Sequence, residues 1–199
     1  MAHLVLPVVL LLTGLLDAAT SDIVVKNNDS HYNIKRFLGT NESIWTFNST
    51  IHANITCKVD CMVNMTKTAI YFNRTFYYHG NKSGYPVEGT FFPYEVPEPN
   101  TILFGQPGGL DEGYEVIIFA SQNYSCAVIN VTLTMMGFED YWFDLRVRNS
   151  SVDKGPSMEC QNYFKSVANV SNQLYNRTCQ TILKHSSVSL VNLTDILKK

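Results

Sequence analysis

Hydrophobic and polar residues alternate along most of this chain in short runs, which is the pattern of half-buried β-strands. The runs are rich in Val, Ile, Thr, Tyr and Phe, and turn-forming clusters such as HGNKSG (79–84) and GQPGGLDEG (105–113) separate them. The pattern predicts strands at 44–50, 54–65, 68–78, 87–95, 101–105, 114–121, 124–133 and 139–148. Eight strands joined by short connections favour an antiparallel all-β barrel or sandwich.

Two helices are predicted outside this strand region. Residues 29–39 read as a short helix that ends at Gly39, a residue type common at helix C-termini. Pro156 marks the start of a second helix, in which Cys160, Phe164 and Val167 form an apolar stripe. A helix with such a stripe must pack against another surface, so we expect it on the outside of a barrel. Eight strands leave room inside for one small ligand.

The first residues of the chain predict export. A run of leucine and valine is followed by small residues at 18–21, and the run is shorter than the roughly 20 apolar residues that a membrane span needs. We therefore assign residues 1–20 to a signal peptide. Residues 21–199 are expected to form a single secreted domain, because their number suits one hydrophobic core.

Glycosylation sequons support an extracellular location, because asparagine-linked glycans occur on secreted proteins. Each occupied site must face solvent, because a glycan is bulky and polar. The chain holds 13 Asn-X-Ser/Thr sequons without proline at X. They are Asn28, Asn41, Asn48, Asn54, Asn64, Asn73, Asn81, Asn123, Asn130, Asn149, Asn169, Asn176 and Asn192.

The charge balance and the motif content exclude several classes of function. The 15 Lys and Arg residues nearly balance the 17 Asp and Glu residues, and no basic cluster occurs, which argues against a nucleic-acid partner. No later segment is apolar enough to span a membrane. The sequence lacks Gly-X-Ser-X-Gly, P-loop and His-Glu-X-X-His motifs, and its histidines are scattered. We expect a monomer that is not an enzyme and holds no metal or cofactor.

The five cysteines of a secreted chain predict two disulfides and one unpaired thiol. Cys126 shares its strand face with the sequon Asn130 and so points outward, while Cys160 lies on the apolar stripe of the outer helix. A Cys126–Cys160 bridge would join that helix to the barrel. Cys179 would then tie the C-terminal segment to Cys57 or to Cys61.

The sequons also orient the strands, because strand side chains alternate between two faces. With Asn73 outward, the inward residues of 68–78 are Ile70, Phe72, Arg74, Phe76 and Tyr78. With Asn54 and Asn64 outward, Val59, Val63 and Met65 point inward and Asp60 points outward. With Asn130 outward, Ala127, Ile129, Val131 and Leu133 point inward. Cys57 conflicts with this scheme, since parity places it inside unless a bulge shifts the register.

Arg74 is the charge that this scheme places among inward aromatic residues, and an unpaired charge there is costly. Three interpretations remain open. Arg74 pairs with an internal acid, or it binds the carboxylate of a fatty-acid-derived ligand whose tail contacts Phe72, Phe76 and Tyr78. Alternatively, carboxylates such as Glu88, Glu139 or Asp140 hold an amine. The candidate internal acids are Glu88, Glu95, Glu115, Glu139, Asp140 and Asp144.

The last predicted strand carries apolar residues on one face and Trp142, Asp144 and Arg146 on the other. This alternation predicts a core wall made by the apolar face and a surface ion pair between Asp144 and Arg146, of little energetic value. Trp45 on the first strand is predicted to be a buried core residue.

Several segments together resemble the tick salivary lipocalins, the group that includes the histamine-binding proteins. The resemblance spans nearly all of the mature chain, and its most specific parts are the cysteine pattern and the run DLRVRNSS. The segments are SIWTFNST (43–50), TCKVDCMV (56–63), IYFNRTFYYHG (70–80), EGTFFPYEV (88–96), SCAVINV (125–131), DYWFDLRVRNSSV (140–152) and CQTIL (179–183).

This resemblance implies a lipocalin barrel that sequesters a small host mediator of inflammation or haemostasis. It also implies the bridges Cys57–Cys179 and Cys126–Cys160, with Cys61 unpaired. The resemblance to this family favours a biogenic amine such as histamine as the ligand. The alternatives are a leukotriene- or thromboxane-type lipid that uses Arg74, and a complement-type protein target bound by outer loops. Amine-binding members use acidic and aromatic residues inside the barrel, and no such set matches here residue by residue.

Overall fold

The computed structural model describes residues 32–134, 140–184 and 188–190. Eight antiparallel strands form its core, each paired with its neighbours in the chain. They are β1 (Ile44–Ser49), β2 (Ile55–Met65), β3 (Ala69–Tyr78), β4 (Asn81–Phe92), β5 (Thr101–Gly105), β6 (Asp111–Ala120), β7 (Cys126–Leu133) and β8 (Asp140–Arg148). The sheet closes because β8 pairs with β1 and β4 pairs with β5. The predicted eight-stranded barrel is confirmed.

The largest difference from the predicted strands is at β4, which begins six residues before position 87. The turn before it needs only His79 and Gly80, whose φ angles of 49° and 80° both lie in the left-handed region. Such a two-residue turn matches the twist of a hairpin. The residues NKSG, which the sequence pattern assigns to a turn, therefore belong to the strand.

In the described part of the chain, three short α-helices accompany the barrel: α1 (Ile34–Leu38), α2 (Asn149–Val152) and α3 (Met158–Val167). The helix α1 ends before Gly39, as predicted, and buries Ile34, Phe37 and Leu38 in the barrel interior. The helix α3 starts two residues after Pro156, because the Ser157 side chain caps it by accepting from the Cys160 N–H. As predicted, α3 packs on the outside of the barrel, against β6, β7 and β8.

The C-terminal segment also lies against the barrel. A short strand β9 (Asn172–Gln173) pairs with β1, and a 3₁₀ helix spans Arg177–Leu183. A second short strand, β10 (Ser189–Leu190), pairs in parallel with β4.

Two disulfides hold these outer elements to the barrel. Cys126–Cys160 joins β7 to α3, and Cys57–Cys179 joins β2 to the 3₁₀ helix. Both bridges are those that the family resemblance implies, and Cys61 is unpaired. The four bridged cysteines belong to a buried cluster between the barrel wall and the elements that cover it, which we call the outer cluster. Trp45, which is fully buried, belongs to the same cluster.

A bulge in β2 resolves the conflict at Cys57. The register with β3 shifts between Thr56 and Val59, and Cys57 itself has a φ of 55°. Cys57 and Val59 therefore lie in the outer cluster, while Asp60 turns into the barrel. The predictions that Asp60 points outward and Val59 points inward were wrong. The extra residue of a bulge exchanges the two faces of the strand beyond it.

A second register shift lies between Met62 and Asn64. Val63, within this shift, is 65% exposed, so its predicted inward position was wrong. Met65 pairs with the inward Ile70 and so keeps its predicted inward face, although it is 37% exposed. The predicted faces of β3 and β7 are correct. Their inward apolar residues belong to the buried hydrophobic cluster inside the barrel, which we call the interior cluster.

Part of the sequence interpretation lies outside the described residues. This applies to the signal peptide and to the sequons Asn28 and Asn192. Of the other sequon asparagines, Asn48 and Asn130 are half-buried and the rest are exposed. Within the described part of the chain, no helix has the length and apolar character needed to cross a membrane.

Candidate functional site

Six charged side chains meet inside the barrel, and we call them the ion network. Strands β2, β3, β6 and β8 each contribute to it, because their inward faces converge in the middle of the barrel. Its members are Lys58, Asp60, Arg74, Glu115, Asp144 and Arg146, none more than 5% exposed. Three cations balance three anions, so the ion network is neutral as a whole.

Arg74 makes a bidentate pair with Asp60. Its Nε lies 2.8 Å from Asp60 Oδ1, and its Nη2 lies 2.8 Å from Asp60 Oδ2. The same Nη2 lies 2.8 Å from Glu115 Oε1. Arg74 is therefore an internally paired residue, which is the first of the three interpretations raised from the sequence.

Glu115 is the centre of the ion network, because it also binds Arg146 with both oxygens. Arg146 Nη1 lies 2.7 Å from Glu115 Oε2, and Arg146 Nη2 lies 2.8 Å from Glu115 Oε1. Asp144 Oδ2 accepts from Arg146 Nη2 at 3.0 Å and from Lys58 Nζ at 2.7 Å. The predicted surface pair of Asp144 and Arg146 was wrong, since both side chains are fully buried.

The pairing keeps Glu115 and Asp144 charged. Burial alone would raise the pKa of Glu115, but Arg146 and Arg74 outweigh it and lower that pKa. Burial would likewise raise the pKa of Asp144, and Lys58 and Arg146 lower it below its ordinary value. Burial lowers the pKa of Lys58, and the Asp144 carboxylate beside it opposes that change.

These pKa shifts predict a loss of stability in acid. The native state holds Glu115 and Asp144 unprotonated, so the unfolded chain binds more protons once the pH approaches the ordinary carboxyl pKa values of 4.5 and 3.8. We expect the free energy of unfolding to fall below about pH 5, with a slope that approaches about 1.4 kcal/mol per pH unit for each group once the pH is below that group's ordinary pKa. Urea unfolding at pH 7, 4 and 3 with intact disulfides measures this. A free energy that stays constant down to pH 3 would contradict the prediction.

A small cavity adjoins the ion network. Its walls are the aromatic rings of Phe76, Tyr85, Phe104 and Trp142, with Lys58 and Arg74 at one side. Ile51, from the β1–β2 connection, also lines it and is 4% exposed. The space open to the centre of a water molecule is about 10 Å³, which is room for about one water.

Two polar groups at this cavity have donors to spare. The indole Nε1 of Trp142 is buried and has no hydrogen-bond partner among the described residues. Lys58 Nζ, which carries three N–H donors, donates to Asp144 and lies 5.9 Å from the centre of the Trp142 ring. A buried donor without a partner costs free energy, so this wall suits an acceptor.

The ion network is also hydrogen-bonded, through Ser49, to the β1–β2 connection that lines the cavity. Ser49 Oγ donates to Asp144 Oδ1 at 2.7 Å and accepts from the Ile51 N–H at 3.1 Å. The position of Ile51 at the cavity is therefore tied to the same carboxylate that binds Lys58.

The structure brings together only some of the residues that the sequence assigns to a ligand site. Phe72, Arg74 and Phe76 are buried inside the barrel, and Tyr78 packs against the interior cluster. Glu88 lies on the outer surface, because β3–β4 pairing sets it opposite the outward Tyr71.

The remaining predicted acids do not join these residues. Asp140 is exposed at the start of β8, and Glu139 lies outside the described residues. The sequence interpretation missed Lys58 and Asp60 as inward residues, since both follow the bulge in β2. Among the described residues, no group of His, Cys, Asp and Glu side chains could hold a metal ion.

Comparison with known proteins supports the fold alone. No protein-family model matches the sequence, and no curated protein matches it. A siderocalin described as having a dual ligand binding mode matches 78% of this chain and 97% of its own, with a TM-score of 0.51 and 10% identity. Weaker matches are the siderocalin Ex-FABP (TM-score 0.48, 9% identity, 65% of this chain and 80% of its own) and a bovine odorant-binding protein (TM-score 0.44, 16% identity, 68% and 91%). The first of these neighbours has a lipocalin barrel that matches the eight-stranded barrel seen here, and the chain has the lipocalin fold.

Proposed function

We propose that this chain is a secreted carrier that holds one small molecule inside its barrel, and that the ligand is apolar with an anionic or hydrogen-bond-accepting end. The lipocalin fold supports a binding role, because eight strands are wide enough to hold one small ligand. The two disulfides support an oxidising, extracellular environment.

The observation that carries this proposal is the unpartnered Nε1 of Trp142 beside Lys58. Trp142 and Lys58 both line the cavity, and a carboxylate or carbonyl oxygen placed between them would accept from the two groups. Apart from Arg74, the rest of the wall is apolar or aromatic, which suits a hydrocarbon body. The cavity is narrow, so a ligand has to displace side chains such as Ile51 or Phe104.

An amine is the less suitable ligand on this geometry. Each carboxylate of the ion network, Asp60, Glu115 and Asp144, already binds at least one cation at 2.8 Å or less. Of the carboxylates proposed for an amine, Glu88 is outside the barrel and Asp140 is exposed. Histamine binding, which the family resemblance favours, remains a prediction.

The family resemblance supports a biological role for such a carrier. Removal of a fatty-acid-derived mediator of the leukotriene or thromboxane type would suppress the host response during feeding. In this proposal Lys58 and Trp142 take the ligand contact that the sequence assigned to Arg74, because two acids already balance the charge of Arg74.

The narrow cavity favours a second candidate function. A barrel interior filled by side chains suits a protein-binding inhibitor of the complement type, which would use its outer loops. Dense glycosylation opposes this candidate, since a stable interface needs about 800 Å² of bare surface per partner. Mapping the occupied sequons by mass spectrometry discriminates between the two.

Calorimetric titration of the glycosylated protein with leukotriene B4 and with histamine tests the ligand class. We expect leukotriene binding that weakens about 2- to 10-fold in Trp142→Phe, as for one neutral hydrogen bond, and about 10- to 150-fold in Lys58→Met, as for a charged one. Trp45→Phe is the matched control for Trp142→Phe, because Trp45 lies in the outer cluster. Lys58→Met also unbalances the ion network, so its titration is compared with wild type only at a temperature where its unfolding curve shows the folded state.

Each other outcome of this titration has a defined meaning. Leukotriene binding that both Trp142→Phe and Lys58→Met leave unchanged would place the ligand elsewhere. Tight histamine binding without leukotriene binding would establish the amine instead. Failure of both ligands to bind would favour the protein-binding candidate.

A further inference from the structure

An apolar groove on the outer surface of the barrel has no part in the function proposed above. It has a volume of about 350 Å³, and its walls include Val63, Tyr71, Pro86 and Pro107. This volume is within the range of about 300–1,000 Å³ that is typical of ligand pockets. Val63 is 65% exposed there, because the register shift between Met62 and Asn64 disrupts the alternation of β2.

Asn73 also lines this groove. It follows Tyr71 by two residues on the same outward face of β3, and it lies directly opposite Pro86 on β4. Asn73 is exposed, and its side chain makes no hydrogen bond within the described part of the chain. With Thr75 it forms a sequon, so its amide is a candidate for glycosylation.

The aromatic wall beside Asn73 is held in place. Tyr71 OH donates to Glu88 Oε1 at 2.8 Å, and Glu88 Oε2 accepts from the Gly108 N–H at 2.9 Å. The Tyr71 ring is therefore ordered by two neighbouring segments, β4 and the β5–β6 connection. Because the ring is already ordered, a group that stacks on it does not have to spend binding free energy on ordering the ring.

We propose that the first N-acetylglucosamine units of a glycan on Asn73 lie in this groove and stack against Tyr71, so that this glycan is part of the folded structure. One face of a sugar ring presents C–H groups, and the face of an aromatic ring is electron-rich, so the two surfaces attract each other. The sugar would also remove the apolar surface of Val63 and Pro86 from water.

Asn64 borders the same groove and is the alternative attachment site. Its Oδ1 accepts from the Met65 N–H at 2.9 Å, which holds its side chain against its own strand. Asn73 has no such restraint, and both Tyr71 on its own strand and Pro86 opposite it line the groove, so we assign the groove to the glycan of Asn73.

Thermal unfolding of the protein secreted by eukaryotic cells tests this proposal, after mass spectrometry has shown which sequons are occupied. We expect Asn73 to be occupied, and Asn73→Gln to lower the Tm by about 2–4 °C. The matched control is Asn81→Gln, which removes an exposed sequon that does not line the groove, and it should leave the Tm unchanged. In a Tyr71→Ser background, Asn73→Gln should no longer lower the Tm.

A second treatment separates the first sugar from the rest of the glycan. Trimming with an endoglycosidase that leaves one N-acetylglucosamine on each asparagine should preserve the Tm difference between Asn73 and Asn73→Gln. An unoccupied Asn73, equal Tm losses in Asn73→Gln and Asn81→Gln, or a Tm loss that follows Asn64→Gln instead would each overturn the proposal.

Discussion

Replacing Glu115 by glutamine will lower the free energy of unfolding by about 3–5 kcal/mol, the cost of removing one partner from a buried ion pair. Glu115 accepts from Arg74 and from two nitrogens of Arg146, and it is fully buried. The substitution leaves the ion network with three cations and two anions in a site that water does not reach. It also turns an amide N–H₂ toward arginine N–H donors. Guanidinium unfolding at pH 7 with intact disulfides measures the loss.

Glu88→Gln is the control for this prediction. Glu88 also accepts two hydrogen bonds, from Tyr71 and Gly108, but it lies on the outer surface, so we expect a loss within about 1 kcal/mol. A Glu115→Gln loss as small as that of Glu88→Gln would show that solvent reaches the ion network. Adding Arg74→Met to Glu115→Gln restores neutrality, so the double variant should lose less stability than the sum of the two single variants.

Removing the Cys57–Cys179 bridge is expected to cost more stability than removing Cys126–Cys160. The first bridge joins residues 122 apart in the chain and the second joins residues 34 apart. The loop-entropy relation gives about 4.9 kcal/mol for the first and about 3.8 kcal/mol for the second, because a longer closed loop removes more freedom from the unfolded chain. Guanidinium unfolding of Cys57→Ala/Cys179→Ala and of Cys126→Ala/Cys160→Ala measures both.

Cys61→Ala is the control for the cysteine substitution itself, because Cys61 is half-buried and unpaired. If Cys126→Ala/Cys160→Ala proves the more damaging variant, loop entropy does not govern these bridges. The packing of α3 on β7 would then contribute more to stability than loop entropy does, and loss of that buried contact would explain the damage.

The sequence predicts the barrel well because most of its strands follow one simple alternation. On β3 the single marker Asn73 assigns every face correctly, since β3 pairs with β4 without a register shift. On β2 the same reasoning fails beyond Thr56, because two register shifts occur and neither has a distinctive residue pattern. Lys58 and Asp60, a third of the ion network, therefore escape prediction from sequence.

The strand β8 fails for a different reason. Alternation identifies the inward face only where the outward face meets water, and α3 covers the outward face of β8. Leu145 and Val147 are apolar because they pack under that helix, while Asp144 and Arg146 occupy the interior. A pattern of apolar and charged residues cannot separate a covered outer face from a core when the core itself carries ions.

The neutrality of the ion network also limits how this barrel can change over evolutionary time. A single replacement among its six members leaves an excess charge in a dry interior, which is costly, whereas replacing a whole set of buried ions by apolar residues is often neutral or stabilising. Intermediate sequences between these two states are the unstable ones. The network is therefore expected to persist intact or to disappear in charge-balanced pairs, so that a descendant which has lost Glu115 should have lost an arginine with it.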